Sequence, residues 1–357
     1  PATSVPVMNA WLVRAGRNGE RESHNLEIGV VGGGFVEVGD LSGASGRTDV
    51  LELVKAAWPT DLDKKHINFA GQLWALRGRM EVGDLVVLPL KTTKQIAIGR
   101  VTGEYRYDSD VETDKSHIRP VEWLRTDIPR PAVLQDLLHS MGAFMTVCRL
   151  SRNDAAWRIE QLAETGTDPG ARPSNGAPDS QPSGAEDESD EDLVGFDVEQ
   201  YAIDRVTTVI SERFAGHGLA HLVGAVLEAE GFVCDVATPG PDGGIDVFAG
   251  SGPLGLDAPR LLVQVKSGAN PVGPDTVRQL HGVIATHGAD QGLLVTWGGV
   301  NKTARRELEN QRFNLRVWDS SDLIEAVCRN YHRLSKDLQS ALPLKQVWAV
   351  VETDSDS

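Results

Sequence analysis

Asp246, Gln264 and Lys266 have side chains whose types and spacing suit hydrolysis of a phosphodiester. They sit in two apolar runs, Ile245-Asp246-Val247-Phe248 and Leu261-Leu262-Val263-Gln264-Val265-Lys266, which read as short β-strands. Successive strand side chains point to opposite faces, so Gln264 and Lys266 share one face, while Ile245 and Val247 share the face opposite Asp246. If the two strands are neighbours, Asp246 joins Gln264 and Lys266. A carboxylate and an amide oxygen can hold a hard cation such as Mg2+ or Mn2+. Such a cation activates water and neutralises the charge that develops at phosphorus. An ammonium beside it orients the water or steadies the transition state. The bland alternative is a solvated strand face. The glycine-rich run Pro239-Gly240-Pro241-Asp242-Gly243-Gly244 directly before Asp246 favours a built site.

The surrounding sequence supplies elements to position these groups. A helix over 198–214 and a second, with Leu219, Leu222, Val223, Val226 and Leu227 on one stripe, precede a strand over 232–236. Gly231 is a natural helix stop. After Lys266 the pattern predicts a helix over 274–286, a strand over 292–297 and a basic helix over 302–309. A strand over 315–318 and a helix over 321–328 complete it. Asp242-Gly243-Gly244-Ile245-Asp246 and Gln264-Val265-Lys266 together resemble the DGGID turn and QxK strand of the Mrr-like branch of the PD-(D/E)xK nucleases. That resemblance implies a mixed α/β sheet with helices on both faces and a Mg2+-dependent endodeoxyribonuclease of the type IV restriction kind. Asp246 and Gln264 would be the metal ligands and Lys266 the third member. One departure stands out: the helix before the motif commonly carries a Glu in that branch, and the matching region here offers His221. An imidazole there serves as a water-mediated metal contact or proton shuttle, or is simply a helix-face residue. Glu228 and Glu230 lie farther along the same helix.

Residues 1 to about 130 read as mostly β with a helical insert. Strands are predicted over 11–15, 83–89 and 95–103, and helices over 48–57 and 67–77. The glycine-rich stretch 29–36 matches no nucleotide fingerprint and reads as a tight turn. Met80-Glu81-Val82-Gly83-Asp84-Leu85-Val86-Val87 and Ile98-Gly99-Arg100-Val101-Thr102-Gly103-Glu104-Tyr105 resemble PUA-like barrels, with the EVE-type modules nearest among them. The resemblance implies a β-barrel with helices that inspects a flipped, modified base between aromatic rings. Phe35, Trp74 and Tyr105 are the expected pocket aromatics and Asn68 the edge reader, although any one aromatic in a small barrel is more often core than cage. From 131 to 163 the pattern is read as helical.

The expected organisation is a recognition domain over 1–163, an acidic linker over 164–195 and a catalytic domain over 196–351. The linker is rich in Gly, Pro, Ser and acid, with almost nothing to bury. The chain has 357 residues and a formal charge of -16, which looks wrong for a DNA binder. Glu186, Asp187, Glu188, Asp190, Glu191, Asp192, Asp197 and Glu199 hold about half of that excess, so local distribution matters more than the total. Three cysteines without paired spacing suggest neither a zinc site nor disulfides. No P-loop motif and no membrane-spanning run is present. The leading expectation is a cytoplasmic, prokaryotic endonuclease that cuts foreign, phage-derived double-stranded DNA carrying modified bases, with a homodimer possible. The alternatives are a non-selective DNA or RNA processing or repair nuclease, and a silent DNA-binding protein.

Overall fold

The computed structural model describes residues 8–111, 113–142, 145–172, 197–238 and 244–348. Residues up to 128 together with 136–198 form one compact unit, and 129–135 with the chain from 199 onward form a second. The two units are of mixed α/β architecture: a curled N-terminal sheet with helices, and a C-terminal mixed sheet covered by helices on both faces.

The N-terminal unit runs β1 (Ala10–Val13), α1 (Glu22–Ile28), β2 (Val30–Gly32), α2 (Arg47–Ala57) and α3 (Asp63–Trp74). It continues through a π-helical turn (Ala75–Arg79) into β3 (Leu85–Pro89), β4 (Gln95–Val101), β5 (Arg106–Tyr107) and β6 (His117–Pro129). Then follow α4 (Gln135–Ser140), β7 (Val147–Arg149) and α5 (Ala155–Thr165). Its strands lie in the order β2-β6-β4-β3-β1-β7, with β5 pairing β6. β1 is fully buried and parallel to β3. Asp84, in the turn entering β3, accepts from the Trp11 indole at 2.8 Å and from the Asn9 amide at 2.9 Å, which locks the two strands in register.

Two elements escape the sequence pattern. The thirteen residues of β6 mix charged and apolar side chains. The strand pairs with β2, β4 and β5, and buried Arg119 ties it to the carbonyls of Leu76 and Arg77 in the π-turn and of Gly103 beyond it. β7, inside the stretch read as helical, is a three-residue strand antiparallel to β1, too short to show any period. Residues 166–172, placed in the linker by composition, include Asp168. Its carboxylate is buried and takes two bonds from the fully buried Arg158 guanidinium, at 2.8 and 2.7 Å. The acidic run 186–192 lies outside the described residues.

The C-terminal unit comprises α6 (Val198–Arg213), α7 (His217–Glu230), β8 (Val233–Val236), β9 (Val247–Ser251), β10 (Asp257–Lys266) and α8 (Pro274–His287). β11 (Gln291–Thr296), α9 (Lys302–Glu309), β12 (Leu315–Trp318), α10 (Ser320–Asn330) and α11 (Lys336–Ala341) complete it. The sheet order is β12-β11-β10-β9-β8, antiparallel from β8 to β10 and parallel from β10 to β12. On one face, Val247, Val263, Leu293 and Val295 pack against the α7 stripe of Leu219, Leu222, Val223 and Val226 and against Leu323 and Val327 of α10. On the other, Leu262 and Leu294 pack against Val277, Leu280 and Ile284 of α8 and Ala304 of α9. No helix among the described residues is long and apolar enough to cross a membrane.

Candidate active site

Asp246 stands just before β9, where the chain joins the sheet. Its own amide donates to the Val263 carbonyl at 2.8 Å, and its carboxylate Oδ2 accepts from the Val265 amide at 2.6 Å. Val247 pairs with Val263, so Asp246 and Gln264 are the next residues on the two adjacent chains. One carboxylate oxygen is thus pinned by main chain. The other accepts no hydrogen bond among the described residues. The alternation expected through this segment does not hold: Ile245 is buried in the α8-side core and Val247 in the α7-side core, so the two do not share a face. Regular pleating begins only at Val247, and Asp246 occupies the changeover between the two sides of the sheet.

Gln264 is 1% exposed, and its Oε1 finds no donor among the described residues. A buried acceptor left without a partner costs about 1–3 kcal/mol. An orphaned amide oxygen adjacent in register to a carboxylate is what a hard, oxygen-seeking cation would satisfy, so the residues present fit a divalent metal. Gly244 is part of the same construction. Its φ is +83°, a left-handed conformation that favours glycine, and a Cβ there would lie 2.7 Å from Gln264 Nε2 and push the amide aside. Asp242 and Gly243, the first residues of the turn motif, lie outside the described residues.

Lys266 ends β10, two residues past Gln264 and therefore on the same side of the strand, and it is partly exposed. Its ammonium has no ion pair or hydrogen bond among the described residues. Its carbonyl accepts from the Trp297 amide at 2.8 Å, which fixes the strand end.

A cavity of about 310 Å³ opens beside Asp246, lined by His217, Ala220, Thr238, Ile245, Val265 and Ser267 among others. Gln264 and Lys266 are not in its wall. The α7 histidine that lines it is His217, one turn before His221. His221 is exposed, with its ring set edge-to-face against His217 at 4.7 Å between centroids. His217 went unnoticed in the sequence, although its i, i+4 spacing to His221 places both on one helix face. Glu230 faces away from the site, accepting from Asn330 Nδ2 at 2.7 Å.

Residues 211–327 match the family model Mrr_cat, described as a restriction endonuclease. They are a restriction endonuclease domain. A second model, a domain of unknown function (DUF8426), matches residues 11–151. No curated protein matches the chain. Solved structures that resemble it include the DNA modification-dependent restriction endonuclease AspBHI, at 16% identity and a TM-score of 0.33, covering 88% of this chain and 79% of that one. The MspJI restriction endonuclease in complex with a 27-mer oligonucleotide is similar at 17% identity and a TM-score of 0.30, covering 89% and 75%. A protein of unknown function, AF1548, matches at 18% identity and a TM-score of 0.26 over 35% of this chain and 78% of that one. The restriction endonuclease domain spans Asp246, Gln264 and Lys266, together with His217 and His221.

The four residues expected to face a base lie in the other unit. Phe35 is 3% exposed and meets Phe69 edge-to-face at 5.4 Å. Tyr105 is 9% exposed. Its hydroxyl accepts from the Leu41 amide and pairs with His117 Nδ1 at 2.9 Å, while His117 Nε2 meets the Val38 carbonyl at 2.9 Å. With Nε2 donating to that carbonyl, Nδ1 is the acceptor and the tyrosine donates to it. Burial holds His117 below its ordinary pKa and pushes the Tyr105 phenol up. Phe35 and Tyr105 are therefore members of the core. Trp74 is partly buried against that same core, its indole lying over Gly78, and Asn68 Oδ1 accepts from Gln72 at 2.7 Å.

Proposed function

We propose that this chain is a metal-dependent endodeoxyribonuclease that cuts the backbone of double-stranded DNA bearing modified bases, as a defence of a prokaryotic cell against foreign DNA. The observation that carries the reading is the orphaned, buried Gln264 oxygen adjacent in register to Asp246, inside a restriction endonuclease domain. Asp246 and Gln264 would hold Mg2+ or Mn2+, which when bound supplies an acidified water and a counter-charge for the phosphate.

The protein's own groups do the rest. Asp246 is held rigid by the Val265 amide, so its free oxygen needs no reorganisation to bind. Lys266 carries an uncommitted ammonium on a strand end fixed by Trp297, suited to orient a water or meet charge on the phosphate oxygens. His217 contributes a polar group to the wall of the Asp246 cavity, where it can pass a proton or hold a water. Selection of the base is assigned to the N-terminal unit, because a scissile phosphate looks alike in every sequence. There Trp74 would stack on the base and Asn68 read its edge, with Phe35 and Tyr105 as the packed floor beneath.

Recognition is assigned to the unit that extends through the Arg158–Asp168 pair, past the expected boundary at 163, and cleavage to the unit that holds 199–348. The test is cleavage of matched duplexes differing only in modified cytosines or adenines, with and without Mg2+. Cleavage that requires Mg2+ and prefers one modified substrate supports the proposal. Equal cutting of plain and modified DNA would leave a nuclease without the reader.

A further inference from the structure

The chain is acidic as a whole, yet residues 302–316 hold Lys302, Arg305, Arg306, Arg312 and Arg316 against Glu307 and Glu309, a surplus of three positive charges. Lys302, Arg305 and Arg306 are all exposed and have no ion pair among the described residues. Several arginines elsewhere in the same unit are engaged: Arg260 with Asp290, Arg278 with Glu307, and Arg130 with Asp204. On α9 the three free cations share a face with Glu309, while Ala304 is buried and Leu308 packs against the core behind them.

The helix dipole does not account for the whole set. Lys302 in the first turn opposes the helix dipole with no acid there to offset it, Glu309 in the last turn does the same, and only Arg306, in the last turn, is favourably placed. The face also sits at the active-site end of the sheet. β10 and β11 are parallel, so Lys266 and the loop leading to α9 leave the sheet at the same end. The two loops are laced together. Trp297 donates to the Lys266 carbonyl, Val272 to Gly299 at 2.9 Å and Asn301 to Val272 at 3.0 Å. A Cβ on Gly298 would lie 2.4 Å from the Ala269 carbonyl oxygen, so the backbones are in direct contact. Asn301 then caps α9 by accepting from the Ala304 amide at 2.9 Å.

We propose that the exposed face of α9 is the track on which the restriction endonuclease domain seats the phosphate backbone of duplex DNA, with Lys302, Arg305 and Arg306 as its phosphate contacts. This rests on the nuclease reading above and adds where the DNA lies. The contacts are independent of sequence, so they act equally on plain and modified DNA.

The experiment is a titration of the full-length protein in EDTA against matched plain and modified duplexes between 50 and 200 mM salt, by fluorescence anisotropy. The K302Q/R305Q/R306Q variant is expected to weaken both duplexes by the same factor. Its slope of log affinity against log salt should fall by up to about 2.7, the value for three lost phosphate contacts. An Arg305→Gln, Arg306→Gln double variant should lose about two thirds of that. R329Q/R333Q/K336Q removes the same charge elsewhere on the unit and should leave the slope unchanged. An unaltered slope in the triple variant, or an equal fall in the control, overturns the track. Absence of Mg2+-dependent cleavage by the wild type would instead remove the nuclease reading, while cleavage by the wild type together with an unaltered slope in the triple variant overturns this inference alone.

Discussion

Gln264→Met separates a metal ligand from a merely structural glutamine. Methionine has similar length and flexibility, so it fills the same space at 1% exposure while deleting the oxygen that lacks a donor. Removing an unsatisfied buried acceptor returns about 1–3 kcal/mol. In EDTA, the variant's β10 amides should therefore exchange roughly 5- to 160-fold more slowly than those of the wild type, if exchange follows opening of the unit. Mg2+ at a hundred times its Kd should stabilise the wild type by about 2.7 kcal/mol and the variant far less. The order of protection should narrow or reverse on adding metal, and cleavage should be lost. Hydrogen exchange measured by mass spectrometry across 257–266, with and without Mg2+, reads this directly. Equal protection in EDTA would refute the orphaned-oxygen argument, and an equal Mg2+ increment in both proteins would refute the ligand assignment.

Three other outcomes are expected. Gly244→Ala places a Cβ 2.7 Å from Gln264 Nε2 at a φ of +83°, so it should cost about 1–2 kcal/mol in backbone strain alone and depress cleavage, checked by thermal melts and nicking rates. His217→Ala should lower cleavage on the order of 100-fold, whereas His221→Ala should cost far less, because only His217 lines the Asp246 cavity. His117 is buried neutral, with its pKa held below the ordinary 6.5 by burial, so the unfolded chain binds the extra proton first. Stability of the N-terminal unit should therefore be full above about pH 6.5 and fall as pH drops toward the folded value, by up to about 1.4 kcal/mol per unit from this group. Urea melts of that unit between pH 7 and 5 that show no such loss would mean that His117 is not buried neutral.

Much of the C-terminal unit is legible in the chain because its signals are local. The apolar stripe of α7, the Gly231 stop, the run of β11 and the bounds of α9 and β12 all follow from period and capping. Asp246 and Gln264 come out as neighbours because β9 and β10 pair antiparallel across the short connection 252–256, with Val247 opposite Val263. What escapes is non-local. The changeover of faces at Asp246 depends on which core receives Ile245, and periodicity cannot show that. That His217 and not His221 lines the Asp246 cavity is set by how α7 packs on the sheet, which no local pattern shows. In the N-terminal unit, β6 reads as polar because two of the carbonyls that satisfy Arg119, those of Leu76 and Arg77, lie 43 and 42 residues away in sequence. Phe35 and Tyr105 could not be told from cage aromatics by type. Their burial is decided by the loop carrying Val38 and Leu41, which closes over His117 and Tyr105.

The most direct test of the central claim is single-turnover cleavage by Asp246→Asn. The asparagine oxygen can still accept from the Val265 amide, so the fold and DNA binding should persist while the charge that holds the metal is gone. Duplex affinity should stay within a fewfold of wild type, while Mg2+-induced stabilisation and cleavage are lost. Cleavage at the wild-type rate with Mg2+ would contradict that claim.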